Sequence, residues 1–145
     1  MMKSEFLAYL KSIDIGDPLT ERIKNIYDFY TDICSIEIKD IFVSEYIKED
    51  GSREYESLWF FSDDYAMEAK QFIIQEKFDS AIIKNKINRW DLIKLEFDCK
   101  KANNNSRIML QINFYPIEGS LKASKENCEH LLNIFKKYVL TNMKK

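Results

Sequence analysis

Two runs with a period of two constrain this chain more than any other feature. Ile93, Leu95, Phe97 and Cys99 alternate with Lys94, Glu96, Asp98 and Lys100, and Ile108, Leu110, Ile112 and Phe114 alternate with Met109, Gln111, Asn113 and Tyr115. Successive side chains of a strand point to opposite faces, so each run offers one apolar and one mainly polar face, the pattern of a half-buried sheet. Asn103-Asn104-Asn105 lies between them, and asparagine tolerates the left-handed backbone of a short connection. The runs are expected to pair as an antiparallel hairpin that Pro116 and Gly119 close.

The segment before them reads as more sheet. Ile36 and Ile38 share one parity while Ile41 and Val43 have the other, so a bulge or break is expected near Lys39-Asp40. Glu49-Asp50-Gly51-Ser52 is a turn signal, since Asp-Gly adopts the positive φ of tight hairpins, and it predicts pairing with Arg53 to Phe61. In that second arm Tyr55, Trp59 and Phe61 fall on one face and Leu58 and Phe60 on the other, which predicts a strand covered on both sides at its end. Asp64 to Gln75 fits helix by propensity and strand by the alternation of Met67, Ala69 and Ile73, with strand the preferred reading; Ala81 to Ile87 is expected to be a strand.

Helical spacing marks both ends of the chain. Phe6, Leu7, Leu10 and Ile13 predict a first helix ending near Gly16 in the left-handed conformation. Asp17 is then the expected N-cap of a second helix with Pro18 in its first turn, and Leu19, Ile23, Ile26, Tyr27 and Tyr30 form its apolar stripe with the tyrosine hydroxyls at its edge. Ser124 is the expected N-cap of a final helix whose Cys128, Leu131, Leu132, Phe135, Tyr138 and Val139 pack on the sheet.

Size and composition bound the class. The chain has 145 residues, of which 46% are hydrophobic and 14% aromatic, enough to bury a substantial core. With no Pro-, Gly- or Ser-rich linker, residues 1–145 are expected to form a single domain: helices over 1–33, an antiparallel sheet over 35–116 and a helix over 124–142. A net charge of −2 supplies no broad field for nucleic acid or an anionic membrane. No apolar run approaches the roughly 20 residues that span a bilayer, and no signal peptide is visible. Cys34, Cys99 and Cys128 are widely spaced and odd in number, which suits reduced thiols in a cytoplasmic protein better than disulfides.

Few residues point to chemistry. The only histidine, His130, lies two positions after Cys128 on the expected helix, an offset that sends the two side chains in different directions, so neither a metal pair nor a Cys-His dyad is expected and the histidine is read as solvent-facing or flanking. Gly16, Gly51 and Gly119 are isolated, so no phosphate-binding loop is expected. No catalytic residue, metal site or cofactor is assigned. One biased patch remains, Lys84, Lys86, Arg89, Trp90 and Lys94, a candidate binding surface for phosphates or bases, although acids at Asp91, Glu96 and Asp98 interrupt it and a solvent-facing strand edge protected by lysine is the preferred reading.

Taken in order, the hairpin through Asp50-Gly51, the run Leu58-Trp59-Phe60-Phe61-Ser62-Asp63-Asp64, the segment Ile87-Asn88-Arg89-Trp90-Asp91-Leu92-Ile93, the hairpin at Asn103 to Asn105 and the C-terminal helix resemble bacterial pleckstrin-homology-like domains, over about residues 35 to 142. The resemblance implies seven strands and a capping helix, which requires the break at Lys39-Asp40 and a strand over Tyr65 to Ile74. The N-terminal helices lie outside it. No lipid-binding loop matches residue by residue, so lipid binding is not implied.

The expected fold is therefore α+β, a curved antiparallel sheet of five to seven strands packed by a C-terminal helix and carrying two N-terminal helices. The expected function is a non-catalytic binding or interaction module that recognises a protein or peptide partner, its many aromatic residues serving as anchors where exposed. The alternative is an enzyme or small-ligand receptor gathering Asp63, Asp64 or Asp79 beside Lys84 or Lys86. Nucleic-acid binding through Lys84 to Lys101 ranks third.

Overall fold

In a computed structural model, which describes residues 2–47, 53–63, 65–70, 82–86, 92–97, 109–115, 119–124 and 126–140, the N-terminal stripes form two helices. α1 spans Ser4–Ser12 and α2 spans Asp17–Asp28, running on into a π-helical turn over Phe29–Ile33. The junction between them corrects the sequence reading. Asp14, with φ 65°, takes the left-handed conformation assigned to Gly16, and aspartate is among the residues that accept it. Gly16 is extended and sits just before α2, so Asp17 lies in the first turn beside Pro18. Ile23, Ile26, Tyr27 and Tyr30 are buried as expected, but Tyr30 is wholly enclosed, not at the edge of its stripe.

The sheet elements are β1 (Asp40–Ile47), β2 (Arg53–Phe61), β3 (Tyr65–Lys70), β4 (Ile82–Lys86), β5 (Leu92–Phe97), β6 (Met109–Tyr115) and β7 (Gly119–Ser124). All described pairings are antiparallel, in the order β1-β2-β3-β4 in one sheet and β5-β6-β7 in another. The fold is α+β, with its strands divided between two sheets where one was expected. Tyr65–Lys70 is a strand, the reading preferred for that ambiguous segment. Sheet structure also runs past residue 116: β7 occupies Gly119–Ser124, and Ser124 ends a strand. Only Leu121 and Ala123 alternate there, too short a pattern to signal a strand by itself.

The clearest sequence pattern is mirrored in the ladder. β5 and β6 pair Ile93 with Phe114, Leu95 with Ile112 and Phe97 with Leu110, apolar opposite apolar throughout. The Asn103–Asn105 connection and the Asp50-Gly51 turn lie outside the described residues.

β1 starts at Asp40, and Ile38, Ile41 and Val43 all join one core cluster, with Ile36 packed against it; the parity break at Lys39-Asp40 is where the ladder begins. A second irregularity has no counterpart in the sequence reading. Ser44 pairs with Ser57 but Glu45 pairs with Tyr55, which leaves Glu56 as an extra residue in β2. Such a bulge reverses the facing of the strand on its far side. Hence Trp59 and Phe61 pack on one face of the sheet, whereas Tyr55, of the same parity, packs on the other with Leu58 and Phe60.

The four-stranded sheet is covered on both faces. On one, Phe6, Leu10, Ile13, Ile23 and Ile26 of the N-terminal segment meet Ile41, Val43, Leu58, Phe60, Met67 and Ala69. On the other, Phe42, Trp59, Phe61 and Ala66 meet Leu121 and Ala123 of β7 and Cys128, Leu131, Ile134 and Tyr138 of the C-terminal helix. That helix, α3, spans Glu126–Ile134 and continues as a π-helical turn over Phe135–Leu140. Its buried stripe is centred one residue from the expected one: Ile134 is enclosed, Phe135 is half-buried and Leu132 is 39% exposed. Each wholly buried large apolar side chain contributes about 1.5–3 kcal/mol relative to exposure, and Phe42, Trp59, Phe60 and Phe61 lie close together on the adjacent strands β1 and β2.

Candidate functional site

Of the basic patch expected from sequence, three residues lie on described strands. Lys84 and Lys86 stand on β4, an edge strand of the first sheet, and Lys94 on β5, an edge strand of the second. Arg89 and Trp90 lie outside the described residues, as do Asp64 and Asp79, while Asp63 is exposed. Among the described residues no group of three or more His, Cys, Asp and Glu side chains is placed to hold a metal ion, and no helix is long and apolar enough to cross a membrane.

The polar side chains that do converge lie along β1. This strand is an edge of its sheet, so every second residue turns its N–H and C=O away from β2. Side chains from two helices meet these groups. The Val43 N–H donates to the Tyr9 hydroxyl oxygen at 3.0 Å, and the Val43 carbonyl accepts from Asn127 Nδ2 at 3.0 Å. Tyr9 in turn donates to Asn127 Oδ1 at 2.7 Å, so α1 and α3 grip one residue of β1 and each other. Two residues earlier, the Ile41 carbonyl lies 2.7 Å from His130 Nε2. A carbonyl only accepts, so Nε2 carries the proton.

Glu45 is wholly buried. Its carboxylate accepts from the Ser124 N–H at 3.1 Å, the Ser124 hydroxyl at 2.6 Å and Asn127 Nδ2 at 2.6 Å, close to the start of α3. These three donors satisfy the buried carboxylate oxygens. Ser124, the expected N-cap, donates its hydroxyl to this carboxylate. Beside it the Ser44 hydroxyl accepts the Lys122 N–H at 3.0 Å, so β1 meets β7 through side chains.

His130 is half-buried, the flanking placement of the two expected for it. Its ring lies against Tyr9, with centroids 4.0 Å apart and planes 28° from parallel, and against Phe42 at 6.1 Å and 19°. Burial pushes its pKa below the ordinary 6.5, opposed by the hydrogen bond to Ile41 and the charge of Asp40. Asp40 is itself engaged by Lys137 Nζ at 2.9 Å and by the Tyr138 hydroxyl. Tyr138 is held far above the ordinary tyrosine range, first by burial and then by that bond to Asp40. These hydrogen bonds of Glu45, His130 and Asp40 each join one element of the fold to another, so the arrangement acts as a structural junction.

Sequence held a signal for this junction. Glu45 has the parity of Ile41 and Val43, an acid at a core position, and Asn127 lies one helical turn before Leu131 on the buried stripe. A polar residue on an apolar face calls for a partner.

Among the described residues the large exposed apolar side chains are Ile33 at 72%, Tyr46 at 51% and Leu132 at 39%. Tyr46, near the end of β1, has Lys122 Nζ 5.8 Å from its ring centroid, and Lys122 also lies 3.6 Å from Glu56 Oε2. This is an exposed aromatic ring bordered by an ion pair. Comparison with protein-family models, with curated proteins and with solved structures returns no match to this chain.

Proposed function

We propose that the chain is a non-catalytic binding module that recognises a protein or peptide partner. The observation that carries this reading is Tyr46. An aromatic side chain mounted on a strand loses little conformational freedom on binding, and aromatic residues with a polar rim are enriched where interfaces concentrate their affinity. Lys122 and Glu56 supply that rim. The strand order, four antiparallel strands, then three, then a helix, supports the finer reading of a pleckstrin-homology-like fold, with α1 and α2 as an addition covering the face of the first sheet opposite α3. The test is capture of partners from an extract of the native host with the full chain and with Tyr46→Ala. A protein retained by the parent and reduced at least roughly tenfold by the variant, the loss expected at a binding hot spot, supports the reading. Equal capture by a Tyr46→Ala chain of unchanged stability removes its basis.

A further inference from the structure

We propose that the α1–β1–α3 junction is an acid-sensitive latch: neutral His130, stacked near Tyr9 and Phe42 and bonded to the Ile41 carbonyl, keeps the Tyr9 turn of α1 closed on β1, and a second proton on its ring opens that contact. Phe6 and Leu10 hold α1 in the core, so the part placed to move is the turn of α1 that carries Tyr9. Phe42 belongs to the β1–β2 ladder and His130 to α3, which is anchored by Cys128, Leu131 and Ile134. Tyr9 comes from the short α1 and lies nearer the imidazole, at 4.0 Å against 6.1 Å. An imidazolium needs water or an anion. From α1 it faces the Tyr9 ring, whose hydroxyl already serves Val43 and Asn127. From β1 it faces Phe42 and the Ile41 carbonyl, and the Asp40 carboxylate that would favour its charge is already engaged by Lys137 and Tyr138. On its own helix, exposed Glu126 stands one turn before it. His130 is half-buried, and moving Tyr9 aside opens the covered face of its ring to water.

The direction comes from linkage. Burial lowers the pKa of His130 in the closed junction, so the open form binds the proton more tightly. The contribution to closure is complete above the ordinary value of about 6.5 and is lost as pH falls through it towards the lower closed-state value. Opening breaks the bond from the Val43 N–H to Tyr9, which gives the transition a reporter.

Hydrogen exchange of the full chain at about pH 7.5 and about pH 5, corrected for intrinsic rates, tests this. The amides of Val43 and of α1 should lose protection on acidification relative to the β2–β3 ladder, the direction set by the lowered pKa of buried His130. His130→Gln keeps an N–H donor but has no proton to gain, so its relative protection should not change. Equal loss in both chains, or no loss in the parent, overturns the latch. If the variant does not fold, titration of the His130 ring by NMR in the parent decides. A midpoint below about 6.5 that coincides with the loss of Val43 protection supports the latch; a higher midpoint, or Val43 protection unchanged through the titration, overturns it.

Discussion

Glu45 and Tyr9 illustrate why single polar atoms matter at this junction. Glu45→Gln leaves one oxygen for the Ser124 N–H and Asn127 Nδ2 and sets its amide nitrogen against the Ser124 hydroxyl, which must turn from donor to acceptor, so the bonds to a carboxylate are lost. The expected cost is about 1.5–3 kcal/mol, the range for a hydrogen bond to a charged group, read as a shift in the denaturation midpoint. Tyr9→Phe keeps the ring against His130 but removes the oxygen shared by Val43 and Asn127. Leaving those groups without it is expected to cost about 1–3 kcal/mol, measurable in the same way. The thiols separate by burial: Cys128 lies in the core and Cys34 is half-buried, so brief alkylation without denaturant, followed by mass spectrometry, should modify Cys34 well before Cys128. Faster labelling of Cys128 would mean that α3 opens more readily than its packing implies.

At the scale of elements, α3 offers the sharpest contrast. Leu131 and Leu132 are adjacent and chemically identical, but the first is wholly enclosed and the second is 39% exposed. Leu131→Ala is expected to cost about 2–5 kcal/mol through lost burial and a cavity, and Leu132→Ala under about 1 kcal/mol, each by chemical denaturation. Equal costs would place the helix face elsewhere. Periodicity identifies α3 and most of its stripe, but it cannot choose between Leu132 and Ile134, because both border the same face. Packing against Phe61 and β7 makes that choice. The bulge at Glu56 is of the same kind: nothing in Arg53 to Phe61 marks it locally, and it arises from the need to pair with β1 while sending Tyr55 to the helical side. There the Tyr55 hydroxyl donates to the Ile13 carbonyl at the end of α1.

On the scale of the molecule, the first sheet separates two cores. Leu10 belongs to the core beneath α1 and α2, and Leu131 to the core beneath α3. They lie in different clusters on opposite faces of the sheet, so Leu10→Ala and Leu131→Ala should combine additively to within about 0.5 kcal/mol. A larger coupling energy would mean that strain in one core passes through the sheet to the other. Neither core is visible as a separate entity in the sequence, because β1 and β2 contribute alternate residues to both: Ile41, Val43, Leu58 and Phe60 to one, Phe42, Trp59 and Phe61 to the other.

Local pattern was sufficient for whatever depends on neighbours along the chain. The alternation from Ile93 and from Ile108 determined two strands and the parity with which they pair, the stripe of α2 determined its buried face, and the dense apolar run Leu58 to Phe61 determined a strand with no solvent face. These outcomes reflect the periods of strand and helix, which are properties of the backbone. Tertiary structure alone decided the division into two sheets, the reversal at Glu56 and the candidate site. Tyr9 and Asn127 are 118 positions apart, and Glu45 and Asn127 are 82 apart. With His130 they meet only because β1 is an edge strand, where unpaired backbone groups must find donors and acceptors wherever the fold can bring them.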